Sequence, residues 1–96
     1  MPAVTRVGDN DTGHDSCPGR PLATGSPDVF TNSIATGRVS DSYVPHGCIV
    51  HAPHSGVIAA GDSTVYVNSL QIGRIGDPVS CGGSVAVGSG NVFSGG

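Results

Sequence analysis

The stretch "GRIGD" at residues 73–77 decides the fold, because the chain contains it three times in related form. "TRVGD" (5–9) and "GRVSD" (37–41) carry the same order of Arg, an aliphatic residue, Gly or Ser, and Asp, with Arg-to-Arg spacings of 32 and 36 residues. A second unit follows each of them. "TGSPDVFTN" (24–32), "AGDSTVYVN" (60–68) and "VGSGNVFSG" (87–95) share a turn, then Val, an aromatic residue and a small polar end. Three copies of a two-part unit, approximately 1–32, 33–68 and 69–96, therefore fill a single 96-residue domain.

Within each copy the signals are for β structure. "SGVIAA", "STVYVN", "SLQIGRI", "SVAVG" and "NVF" alternate Val, Ile and other apolar residues with small or polar ones, and Gly, Asn, Asp, Ser and Pro punctuate them. No window of eleven or more residues holds a helical apolar period unbroken by Gly or Pro. The expectation is an all-β fold of short strands. The Asp-Pro of "GDP" and the Ser-Pro of "GSP" are expected to begin turns, since Pro presets the dihedral of a turn's second residue. Two or three short strands cannot bury an apolar face alone, so three copies share one core, most simply with pseudo three-fold symmetry about a central axis. A linear stack of repeats would need polar caps at its ends, and the chain has no residues left to supply them.

Composition makes that core thin. Sixteen Gly and seven Pro stand against two Phe, two Tyr and no Trp, and ordering such a chain costs about 1–2 kcal/mol per residue. A domain of this size needs help beyond apolar packing, from disulfides, a metal or a partner. Lys and Glu are absent, and four Arg against seven Asp give a net charge of −3. That pattern speaks against an electrostatic grip on nucleic acid or anionic lipid. Neither a membrane-length apolar run nor a secretory leader is present, so the sequence reads as a soluble protein without membrane anchoring.

The residues after each repeated Asp point to a metal. His14 and His46 follow Asp9 and Asp41 at plus five, and Cys81 follows Asp77 at plus four, so the repeat offers imidazole, imidazole and thiol at matching places. Structural zinc takes four N or S ligands. His54, His51, Cys48 and Cys17 are the candidates for the fourth, and His54 is preferred because it precedes Gly61 by seven residues, as Cys81 precedes Gly88. Imidazole and thiol favour zinc over calcium or magnesium, with iron as the alternative metal. Three cysteines allow at most one disulfide, for which Cys17 and Cys48 are the pair. A zinc hydrolase is disfavoured: "HAPH" (51–54) has a Pro between its histidines, and the chain has no Glu to act as general base. "GHDS" (13–16) sets His, Asp and Ser side by side in sequence, whereas a catalytic triad meets through the fold. Arg6, Arg38 and Arg74 are expected to pair with the Asp of their own copy.

Taken together, "MPAVTRVGD", "TGSPDVFTN", "GRIGDPVSCGG" and "GSGNVF" resemble the PAAR-repeat proteins, the spike tips of contractile phage tails and type VI secretion machines. With nothing appended, the chain looks like the free-standing tip proteins of phage tails. The resemblance implies a small cone with one zinc at its apex, held by three His and one Cys, which carries onto His14, His46, His54 and Cys81. It implies a base seated on the blunt end of a trimeric β-helical spike, one chain per trimer, and a place at the tip of the tail spike on the virion baseplate, after synthesis in the host cytoplasm. Contact with the target cell envelope would be transient, with no catalysis. A related implied role is an adaptor that attaches cargo to the spike. The name-giving Pro-Ala-Ala-Arg is degenerate here: "MPAVTR" keeps Pro, Ala and Arg, while "IATGR" and "LQIGR" keep only Arg. Copy one has Asn10 and copy two Ser42 where Pro follows Gly-Asp, and copy two has Ser40 for the Gly. A flat apolar contact surface needs like side chains from all three copies, which points to Val29, Phe30, Val65, Tyr66, Val92 and Phe93 for the spike-facing base.

Overall fold

The computed structural model describes residues 2–13, 18–48, 51–54 and 56–95, which form no helix. The strands are shorter than their sequence runs: β1 (Phe30–Thr31), β2 (Ile34–Ala35), β3 (His46–Cys48), β4 (His51–His54), β5 (Tyr66–Val67) and β6 (Leu70–Gln71). They pair as three antiparallel hairpins, β1 with β2, β3 with β4 and β5 with β6. Windows such as "SGVIAA" and "SVAVG" contribute single bridging residues instead of continuous strands, because each residue pair faces a different neighbour.

Two hairpins are alike in register. Phe30 faces Ala35 and Thr31 faces Ile34, just as Tyr66 faces Gln71 and Val67 faces Leu70. Both turn on Asn-Ser, with φ of 54° and 65° at Asn32 and Ser33 and of 53° and 67° at Asn68 and Ser69. Two successive positive φ values make the type I′ turn whose twist suits adjoining strands. The two ends of the chain supply the corresponding third ladder. Phe93 bridges to Ala3, and the Val4 amide donates to the Val92 carbonyl as Thr36 does to Val29 and Ile72 to Val65.

Backbone bonds between copies close into cycles. The Thr5 amide donates to the Gly73 carbonyl (3.1 Å), Gly73 to Gly37 (2.9 Å) and Gly37 to Thr5 (2.9 Å). Arg6 bridges to Thr36, Arg38 to Ile72 and Arg74 to Val4, each facing the residue two before the next Arg around the cycle. Further along, Leu22 bridges to Tyr43, Ile58 to Val79 and Val85 to Asp11. Five of these six side chains, Leu22, Tyr43, Ile58, Val79 and Val85, form one buried apolar cluster. Val4, Val67 and Ile72 form a second, with Val92 packed against it. No cluster is large, and the hydrogen-bonded cycles carry much of the specificity that a bigger core would otherwise supply.

The repeated Arg-x-Gly-Asp is a turn with its own clasp. The Asp9, Asp41 and Asp77 amides donate to the Arg6, Arg38 and Arg74 carbonyls, and the third turn residue has φ of 94° at Gly8, 82° at Ser40 and 93° at Gly76. This is a type II pattern, which asks for Gly there. Each Asp accepts from the backbone amide and guanidinium of its Arg, at 2.8–3.3 Å across the three copies. The expected intra-copy ion pairs are thus present. The expectation that "GDP" begins a turn is corrected: the turn precedes Asp77, and Pro78 is extended, bridging to Ser84. "GSP" does begin one, with Ser26 Oγ accepting the amides of Asp28 and Val29. A Cβ on Gly76 would meet nothing within 4 Å, so Gly76→Ala tests conformational strain alone. It should lose about 1–2 kcal/mol, whereas Ser40→Gly should gain up to about 1 kcal/mol, both read from denaturant midpoints.

Each hairpin end is tied to a neighbouring unit. Asn32 joins Ser89 and Asn91, and Asn68 joins Ser26 and Asp28. In the third place Ser94 Oγ donates to Asp62 at 2.6 Å. Ser94, then the hydroxyl and amide of Thr64, hold the Asp62 carboxyl down at about 2. The folded pKa lies below the unfolded value of about 3.9, so the folded state binds fewer protons in acid. Asp62 therefore contributes stability in full above about pH 4, and that contribution is lost as pH falls through about 2. Thermal midpoints between pH 5 and 2 should fall less steeply in Asp62→Asn than in the parent chain.

Candidate functional site

Beyond the Leu22–Tyr43, Ile58–Val79 and Val85–Asp11 bridges the chain makes three excursions of different length. Their bases are closed by Asp11 donating to Arg20, Tyr43 to Gly56 and Val79 to Gly83. All seven candidate ligands belong to these excursions. His14 and Cys17 fall in the first, but lie outside the described residues. His46, Cys48, His51 and His54 fall on β3 and β4 in the second, and Cys81 in the third.

The second excursion brings two expected ligands opposite one another. His46 pairs with His54 across the β3–β4 ladder, and Cys48 with His51 beyond a register shift. Facing residues of an antiparallel pair have Cα atoms about 4.5–5.5 Å apart, so one metal can be reached from both His46 and His54 positions. The third excursion packs against the second. The Val57 amide donates to Ser80 Oγ and the Ser80 amide to the Val57 carbonyl. A Cβ built on Gly56 would stand 2.6 Å from Cys81 Sγ. Only Gly fits at that position beside the thiol, which lies against the buried Leu22–Tyr43 cluster. Burial first, and then the charge of Asp11, push the Cys81 thiol up. The first excursion meets the third where the Thr12 amide donates to the Ser84 carbonyl and the Ser84 amide to Thr12 Oγ1.

The donor types fit zinc: the His46 and His54 positions face each other across the β3–β4 ladder, and the third excursion, which carries Cys81, packs against the second. Among the described residues, which leave out His14, no group of three His, Cys, Asp or Glu forms a metal site.

Apolar surface is carried by other elements, β1, β5 and the Ala3–Phe93 bridge. Phe30, Tyr66 and Phe93 are 58%, 56% and 47% exposed, with Val29 and Val65 beside them. Val92 is half-buried, packed against Val4, Val67 and Ile72.

Two features were not anticipated from the sequence. The Asn-Ser hairpin turns were overlooked, although Asn recurs at 32 and 68 and is followed both times by Ser. Asp11 stands in the ring at the place Tyr43 and Val79 hold in the other copies, a charged residue in an apolar position that no local pattern marks.

Hydrogen-bonded cycles, short antiparallel hairpins and exposed aromatic side chains define a small all-β module. Its family follows from the sequence match. The PAAR motif model matches residues 12–87, most of the chain, and the chain belongs to that family. No curated protein matches it. Membership makes the chain a spike-tip type of protein, a component of a contractile tail or secretion system that associates with spike proteins. No helix among the described residues is long and apolar enough to cross a membrane.

Proposed function

We propose that this protein is a non-enzymatic tip with pseudo three-fold symmetry that caps the end of a trimeric β-helical spike and sharpens it for passage through a cell envelope. The observation that carries this reading is the closure of the Thr5, Gly37 and Gly73 hydrogen bonds into a cycle of three. A single chain matches a trimer only if it presents like surfaces three times, and the repeats at 1–32, 33–68 and 69–96 do so. The last rung of a β-helix exposes unpaired strand edges that invite aggregation, and a cap covers them. Phe30, Tyr66 and Phe93, with Val29, Val65 and Val92, form the spike-facing base. At the apex His14, His46, His54 and Cys81 would hold one zinc ion, which supplies a cross-link among three loops of a thin-cored protein. The principal axes of 38, 25 and 23 Å agree with an elongated tip.

The purified chain is expected to bind a spike trimer at one chain per trimer by light scattering. Saturation at three chains per trimer would rule out the capping geometry. Replacing Phe30, Tyr66 and Phe93 together by Ser should abolish binding and leave the fold intact, because all three are exposed in the isolated chain.

A further inference from the structure

Ser26, Asp62 and Ser89 hold the same position of the second repeat unit, and so do Asn32, Asn68 and Gly95. In two of the three places a Ser hydroxyl accepts amides of its own turn, Asp28 and Val29 for Ser26, Asn91 and Val92 for Ser89, and donates to the Asn of another hairpin at 2.6 Å. That Asn also accepts from a guanidinium, Arg6 on Asn32 and Arg38 on Asn68. The third place has no Asn to offer. There Asp62 Oδ1 accepts the amide and hydroxyl of Thr64, and Oδ2 accepts Ser94 Oγ at 2.6 Å. Asp62 and Ser94 are buried, at 4% and 5% exposure. An ionised carboxylate can only accept, so the polarity of this tie is the reverse of the other two.

What the tie holds belongs to the apolar surface. The Val4 amide donates to the Val92 carbonyl, the Ser94 amide donates to the Pro2 carbonyl, both at 3.0 Å, and Phe93 bridges to Ala3. Residues 92–94 thus lie on residues 2–4 with no turn joining them, and a ladder this short is marginal by itself. Phe93, 47% exposed, stands on it. Gly95 then passes close to both charged groups, since a Cβ there would stand 2.4 Å from Arg74 Nη1 and 2.9 Å from Asp62 Oδ2. We propose that Asp62 is a positioning residue of the spike-facing base, its carboxylate pinning Ser94 so that Phe93 is presented together with Phe30 and Tyr66. This rests on the base reading above. The departure of Asp62 from the Ser of the other copies then has a reason: it replaces the acceptor that Asn32 and Asn68 supply elsewhere.

Ser94→Ala removes the donor and leaves the contacts of Asp62 with Thr64 in place. In the purified chain the amides of residues 4 and 94 should then exchange hydrogen about ten-fold faster, while those of Thr36 and Ile72, in the two equivalent ladders, keep their rates. Kd for the spike trimer should rise about 3–10-fold, because apparent affinity falls with the fraction of chains that hold Phe93 in place. It should not rise further when Ser94→Ala is added to Phe93→Ala. Asp62→Ser should loosen the same two amides, and Asp62→Ser combined with Gly95→Asn should restore both exchange and binding, since the introduced Asn can accept from the Ser hydroxyl and from Arg74. Unchanged exchange in Ser94→Ala overturns the assignment. So does faster exchange with an unchanged Kd, or a rise in Kd that persists in full in the Phe93→Ala background. If Phe93→Ala itself binds the trimer as the parent does, the base reading falls, and the assignment with it.

Discussion

Stripping zinc from the protein should remove its cooperative melting transition. Structural zinc contributes about 10–16 kcal/mol in small domains, as much as the whole stability of about 5–15 kcal/mol usual for a folded domain. Here the balance is tighter than usual, because two small apolar clusters hold a Gly-rich chain. One zinc per chain is expected by mass spectrometry, and Ala substitution of His14, His46, His54 or Cys81 should each reproduce the metal-free melt. A metal-free chain that melts at the parent temperature would remove the site from consideration. His51→Ala and Cys48→Ala are the controls. They face each other beyond the register shift of the β3–β4 ladder, and they should leave zinc content unchanged if His54 is the fourth ligand.

The second large effect is expected at the Asp clasps. Asp41 accepts from the Arg38 amide and guanidinium and from Thr24 Oγ1, with the ion pair almost out of water at 14% and 5% side-chain exposure. Its removal leaves the Arg38 amide without its acceptor and the guanidinium with only Asn68 and the Gly25 carbonyl. Breaking such a pair from one side costs about 3–5 kcal/mol, so Asp41→Ala should lose about 3 kcal/mol after allowance for the partial exposure of Arg38. Asp9→Ala and Asp77→Ala break the same clasp in the other copies and should cost similar amounts. Urea unfolding of the three variants checks both the size and the equivalence. A cost confined to one copy would show that the repeated sequence does not do repeated work.

How much of this was legible beforehand depends on the residue. The Arg–Asp clasps were, because the turn, its Gly and its ion pair are local and recur in order. Pro78 was misread for the same reason: its neighbours look like a turn, and only the bridge to Ser84 shows the chain already extended. Strand lengths were overestimated because alternation reports which face is buried and says nothing about how many neighbours share a strand. The repeat register aligns His14, His46 and Cys81 in sequence although the excursions differ in length, and His14 lies outside the described residues. Asp11 could not be read. Its burial is decided by a partner from another copy, Val85.

The ladder between the chain's two ends has a topological meaning. Where Asn32–Ser33 and Asn68–Ser69 turn the chain, the third place has a seam, with the Ser94 amide resting on the Pro2 carbonyl at 3.0 Å. The cut in the circle is arbitrary as far as the hydrogen bonds are concerned. A permuted chain opened between Asn32 and Ser33, with the segments around Pro2 and Ser94 joined by a short turn, would keep the same ring of backbone hydrogen bonds.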